Sequence, residues 1–116
     1  MKKLGFQLIV VIVNSGFSDI IMNAARDAGA RGGTITHCRG TSNEFLEKKY
    51  GVYVTPDKEM ILIVIKNAQC DAVLKAVYEA AGKDNPGQCI AFSLPVDNVV
   101  GMKFDTIEEE ELYKGL

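Results

Sequence analysis

The chain has 116 residues, 47% of them hydrophobic and 24% charged, with 13 basic and 15 acidic side chains and a net charge of −2. That is the size of one domain and the composition of a soluble globular protein, which excludes a disordered, collagenous or coiled-coil chain. The longest apolar runs, Leu8–Val13 and Met60–Ile65, hold six residues each, against roughly 20 for a membrane helix, so no membrane span is expected.

The basic start Met1-Lys2-Lys3 leads into a first strand, Phe6–Val13, whose apolar stretch stops at Asn14 without a small-residue cleavage motif. A secretory leader is therefore not expected. Ser18 is the expected N-cap of a first helix, with Asp19 at the positive end of its dipole. Ile20, Ile21, Ala24 and Ala28 form its apolar stripe, and Gly29 is its left-handed stop. Gly32-Gly33-Thr34 leads into a second strand, Gly33–Cys38, and Gly40 leaves it. The connection Thr41–Lys58 then runs for eighteen residues, where a hairpin loop takes ~2–5. Such length marks a functional segment, and its Lys48-Lys49 pair is the expected first site of tryptic cleavage.

The third strand, Met60–Ile65, is followed by a second helix opening at Asp71, with Val73, Leu74, Val77 and Ala81 as its stripe and Gly82 at its end. Lys83-Asp84-Asn85-Pro86-Gly87-Gln88 makes a turn before the last strand, Ile90–Phe92. Residues 105–116 form an acidic tail of charge −4, leaving the body at +2. The capping box Thr106-Ile107-Glu108-Glu109 allows a short helix there. A body this weakly basic does not suit nucleic acid, and the third strand carries no aromatic for stacking bases. It does suit a small anionic ligand.

Shifting the chain by 53 residues superimposes its halves. Val11-Ile12 falls on Val64-Ile65, Asn14 on Asn67, and Ala28-Gly29 on Ala81-Gly82. Two further residues of shift bring Gly32 onto Gly87, which predicts both glycine turns on one edge of the fold. The order is β-α-β-β-α-β, an α+β ferredoxin-like fold with a long loop between its second and third strands. Its domain is expected over residues 1–104. The first and third strands are apolar on both faces, although helices cover only one face of such a sheet. A lid from the C-terminal segment could cover the other face; subunit association is the preferred reading.

Catalytic signals are sparse. His37 is the only histidine, and its strand neighbour Cys38 points to the opposite face, so the two cannot share a metal. Cys70 precedes the expected start of a helix, where the dipole could activate it, but a buried structural cysteine is the commoner case. Three cysteines without CxxC spacing indicate neither a disulfide framework nor structural zinc, and point to a reducing cytoplasm. No nucleophile–base arrangement stands out. Glycines at Gly40 and Gly87 are candidates for offering backbone N–H groups to an anion.

The segments Val13-Asn14-Ser15-Gly16-Phe17-Ser18-Asp19, Ala28-Gly29-Ala30-Arg31-Gly32-Gly33-Thr34-Ile35 and Gly87-Gln88-Cys89-Ile90-Ala91-Phe92-Ser93-Leu94-Pro95-Val96 together resemble the PII nitrogen-regulatory signalling proteins, above all their divergent PII-like relatives. The resemblance spans roughly residues 5–103. It implies a non-enzymatic, cytoplasmic regulator of nitrogen metabolism and a homotrimer with its sheets facing inward. It also implies a loop (residues 41–58) that contacts a target protein, which a membrane protein could be. No cofactor is required; an adenine nucleotide (ATP, ADP or AMP) is the implied effector, held in clefts between subunits.

By position, Thr34 would meet the adenine end, Arg39, Gly40 and Thr41 would line the loop base, and Lys58 would sit near phosphates or a carboxylate. Gly87 and Gln88 would present backbone to phosphate, with Lys103 as a further cation. The chain departs from the family pattern where a lysine should follow the last turn's glycine and where two arginines should reach a neighbour's phosphates: Gln88 or Cys89, Gly101 and Lys103 stand there instead. Tyr50 and Tyr53 are the tyrosines available where the family carries a modified one. The alternatives are a CutA-like, metal-related trimer of similar fold and a small-molecule-processing enzyme.

Overall fold

The computed structural model describes residues 5–41, 56–82 and 86–102. Its elements are β1 (Phe6–Asn14), α1 (Ser18–Asp27), β2 (Thr34–Arg39), β3 (Asp57–Lys66), α2 (Asn67–Ala81) and β4 (Ile90–Val96). The four strands form one sheet in the order β2-β3-β1-β4, every adjacent pair antiparallel. This is the expected ferredoxin-like arrangement. Both long strands sit in the centre, and the proline-containing β4 lies at an edge, where a missing N–H costs no ladder bond.

The pleat sorts the central strands into two sets. Ile9, Val11, Val13, Ile61 and Ile63 are wholly buried beneath the helices, packed with Ile21, Met22 and Ala25 of α1 and Cys70, Val73, Val77 and Ala81 of α2. The even-numbered set lies on the opposite face. Register places Ile12, Met60, Thr36 and Ile90 in one row, Val10, Leu62, Thr34 and Phe92 in the next, and Leu8, Val64 and Leu94 in a third. At one corner Val64, Val96, Val99 and Met102 bury Phe6, so the segment after β4 does form a partial lid. Elsewhere this face stays open: Ile90 is 64%, Leu94 48% and Phe92 42% exposed.

The helix ends differ from the sequence reading in instructive ways. α1 stops where expected: Ala30 N–H donates to Ala25 O and Gly29 N–H to Arg26 O, with Gly29 at φ +122°. That is the paired bonding of a Schellman motif. Ser18, however, lies inside the first turn, with Phe17 as an N-cap that makes no side-chain bond. The buried stripe is Ser18, Ile21, Met22 and Ala25, while Ile20 is 48% exposed. The run Ile20-Ile21-Met22 admits two helical stripes one residue apart, and packing selected the other one.

α2 begins at Asn67, four residues before Asp71, because Gly5 O accepts the Asn67 N–H and supplies the cap from the backbone. Cys70 is consequently a buried residue of the first helical turn, not a group ahead of the helix. β3 starts at Asp57 and β4 continues to Val96, so Lys58 belongs to the sheet rather than to the loop. No helix among the described residues is long and apolar enough to cross a membrane. The expectations for Lys48-Lys49, Tyr50, Tyr53, Lys103 and the tail 105–116 fall outside the described residues.

Candidate functional site

Two groups of predicted residues form at different ends of the sheet. The first gathers where β1 ends, β2 ends and β3 begins. Arg39 pairs with Asp57 across the ladder, and Cys38 with Lys58, which in turn pairs with Asn14. Arg39 and Thr41 are exposed. The Gly40 N–H donates to Pro56 O at 2.7 Å, tying the two stems of the long connection together. This N–H is therefore spent on the loop base and is not the anion donor the sequence suggested. Side chains carry the charge here.

Lys58 reaches across the open face to Asn14, whose Oδ1 accepts from Nζ. Asn14, only 8% exposed, is the hub of this end. Its Nδ2 donates to Pro86 O at 2.8 Å, its backbone N–H to Gly87 O at 2.9 Å, and its own carbonyl accepts from Phe17 N–H at 3.2 Å. Ser15 N–H adds a bond to Asp57 O at 3.1 Å. Glu59, buried on the helix face, accepts the Gly16 N–H through Oε1 at 2.7 Å. The loop base, the β1–α1 turn and the turn before β4 are thus one bonded unit.

Gly87 and Gln88 belong to that unit. Gly87 is buried, and a Cβ there would lie 2.9 Å from Ala81 Cβ and 3.1 Å from Phe17 Cδ1. Close packing against α2 demands the glycine. Gln88 follows in the left-handed region at φ +49° with an exposed side chain. The next residue, Cys89, is held by its N–H on Ala81 O at 2.7 Å, and burial pushes its thiol pKa up, opposed by a backbone hydrogen bond.

The second group lies at the start of β2. Arg31, Gly32, Gly33, Thr34, Leu62, Val64 and Met102 line a cleft of about 430 Å³. Its floor is aliphatic and its rim offers one hydroxyl and one guanidinium. Thr34 is thus separated from Arg39 by the six-residue length of β2, about 17 Å. Gly32 and Gly87, equivalent in the repeat, lie at opposite ends of the sheet and not on one edge. The strands they precede, β2 and β4, run in opposite directions, because the repeat relates the halves by a two-fold rotation rather than a translation.

The sequence profile described as nitrogen regulatory protein P-II matches residues 6–106. This chain belongs to the P-II family. Among solved structures it is similar to PII from Arabidopsis thaliana bound to citrate, at 26% identity over 83% of this chain and 79% of that one, with a TM-score of 0.64. It also shares its fold with a protein from Thermus thermophilus described as PII-like and signalling, at 18% identity over 83% and 90% of the two chains, with a TM-score of 0.61. A P-II family member is a signalling protein, and the family is regulatory rather than enzymatic in general. Among the described residues no three His, Cys, Asp or Glu side chains gather as a metal site would require.

Sequence reasoning named the loop base and the last turn of this P-II chain but missed Asn14, which joins them. In the sequence Asn14 marks the end of the first apolar run, a repeat match to Asn67 and one position of the family-like segment Val13–Asp19. Leu62, Val64 and Met102 around Thr34 carry no such signal in the sequence, since the last of these arrives from the far end of the chain.

Proposed function

We propose that this chain is a non-enzymatic P-II signalling subunit that works as a homotrimer, holds an adenine nucleotide between subunits, and contacts a target protein through residues 41–58. Nitrogen regulation in the cytoplasm is the setting. The observation that carries this reading is the division of the predicted site. The cleft at Thr34 suits a flat, largely apolar base, and the Lys58–Gly87 end suits an anion, yet one chain keeps them about a strand's length apart. A second subunit docked on the open apolar face would bring one chain's cleft against its neighbour's cationic end. The P-II family generally forms homotrimers, and the exposed Ile90, Phe92 and Leu94 of β4 supply an apolar surface for doing so.

The charge complement favours weak binding of triphosphates. Gln88 and Gly101 carry no charge where the family pattern has cations. Two missing charge-assisted contacts at ~1.5–3 kcal/mol each lower affinity by roughly two to four powers of ten. Ligands with fewer phosphates lose less. The citrate in the Arabidopsis relative supports a small polycarboxylate as a second candidate effector, for which the Lys58 ammonium is the cation to test.

Calorimetry with ATP, ADP and AMP on protein freed of copurified ligand tests the reading. Micromolar or weaker binding with little advantage for ATP is expected. Submicromolar ATP binding would refute the weakening, and no binding of any adenylate would refute the nucleotide.

A further inference from the structure

We propose that Asn14 is a positioning residue: it holds the Lys58 ammonium at the loop-base end of the sheet through a neutral acceptor, so that the cation keeps its charge for an anionic ligand group. The proposal rests on the reading above only in taking Lys58 as a ligand contact.

The orientation of the Asn14 amide is dictated by its partners. Pro86 O can only accept and Lys58 Nζ can only donate, so Nδ2 must face the former and Oδ1 the latter. Backbone bonds to Gly87 and Phe17 leave every polar group of this nearly buried residue engaged, and the side chain has no freedom to turn away.

Strand alternation keeps acids from the ammonium. Asp57 and Glu59 flank Lys58 but point to the opposite face of β3, and Glu59 is committed to Gly16 N–H. Among the described residues no carboxylate lies within salt-bridge distance of Lys58. An aspartate at position 14 would offer the ammonium a stronger bond and would cancel its charge. An asparagine fixes the position and leaves the charge. Because the same amide grips Pro86, it also fixes the distance between Lys58 and the Gly87–Gln88 turn.

The experiment measures affinity for adenosine, AMP, ADP, ATP and inorganic triphosphate in the wild type, Asn14→Asp and Lys58→Gln. In Asn14→Asp, adenosine binding should stay within about twofold while ATP binding falls about ten- to a hundredfold, the loss growing with ligand charge as it does in Lys58→Gln. A merely structural lesion would weaken adenosine and ATP alike, and that result would overturn the proposal.

If Asn14→Asp does not fold, Asn14→Ala in the wild-type and Lys58→Gln backgrounds decides. A residue acting through Lys58 weakens ATP binding in the first background and not in the second; equal losses in both overturn the idea. Should the wild type bind inorganic triphosphate but no adenylate, and lose it on Asn14→Asp, the positioning role stands and the nucleotide falls. Should it bind neither, Lys58 is no anion site and the proposal falls as well.

Discussion

Phe92→Asp should separate assembly from folding. Phe92 sits on β4 opposite Val10, on the face no helix covers, and is 42% exposed in the single chain. Phe92 belongs to neither buried cluster of the chain, so the isolated subunit should still fold. A trimer built on that face loses the burial of the exposed two-fifths of three rings, at about 1 kcal/mol each, roughly 3 kcal/mol or two powers of ten in assembly. It must also desolvate three carboxylates. Light scattering after gel filtration should give the trimer mass for the wild type and the single-chain mass for the variant, with a native far-ultraviolet spectrum for both. Val11→Asp is the contrast. Val11 is wholly buried beneath the helices, where an unpaired carboxyl group, charged or forced neutral, costs an amount comparable to the ~5–15 kcal/mol of a domain's stability, so that variant should unfold. An intact Phe92→Asp trimer, or a wild type that is monomeric at every concentration, would show that this face does not hold subunits together.

Gly87→Ala should cost about 1–3 kcal/mol by overpacking, since its Cβ must displace Ala81 or Phe17; an unchanged denaturation midpoint would show that the turn yields freely. The Cys89 thiol, raised by burial, should contribute a pH dependence of defined sign. The unfolded chain gives up this proton more readily than the folded one, so stability should hold below the ordinary thiol range and fall as pH rises from there through the folded value. Urea titrations at neutral pH and near pH 9.5 should show an alkaline loss in the wild type that Cys89→Ala lacks, and equal losses in both would remove Cys89 as the cause. Iodoacetamide should likewise modify Cys89 at an apparent pKa above the ordinary thiol range.

The order of elements was legible because each carries a local signal. The apolar runs at Leu8–Val13 and Met60–Ile65 became the two central strands, and Gly29 ended α1 through bonds confined to one turn. Two-sided apolarity of those strands showed that one face needs a cover, and Val99 and Met102 over Phe6 provide part of it. Features set by distant partners were not legible. The start of α2 depends on Gly5 O, the choice of stripe on α1 depends on the shared core of sheet and α2, and Asn14 finds its role only when residues 58 and 86 arrive beside it. The sense of the internal repeat belongs to the same class. A sequence shift shows that Gly32 and Gly87 are equivalent and is silent on the rotation that sends them to opposite ends of the sheet.

A ligand held between subunits should bind only the assembled protein, which is decided by titrating the same adenylate into the wild type and into Phe92→Asp. Phe92 does not line the Thr34 cleft, and it stands two rows from Lys58 in the sheet, so the substitution leaves each half-site intact within its own chain. Saturable binding to the trimer and none to the folded monomer is the predicted result. A monomer that binds the adenylate with undiminished affinity would place the complete site within one chain and contradict the account.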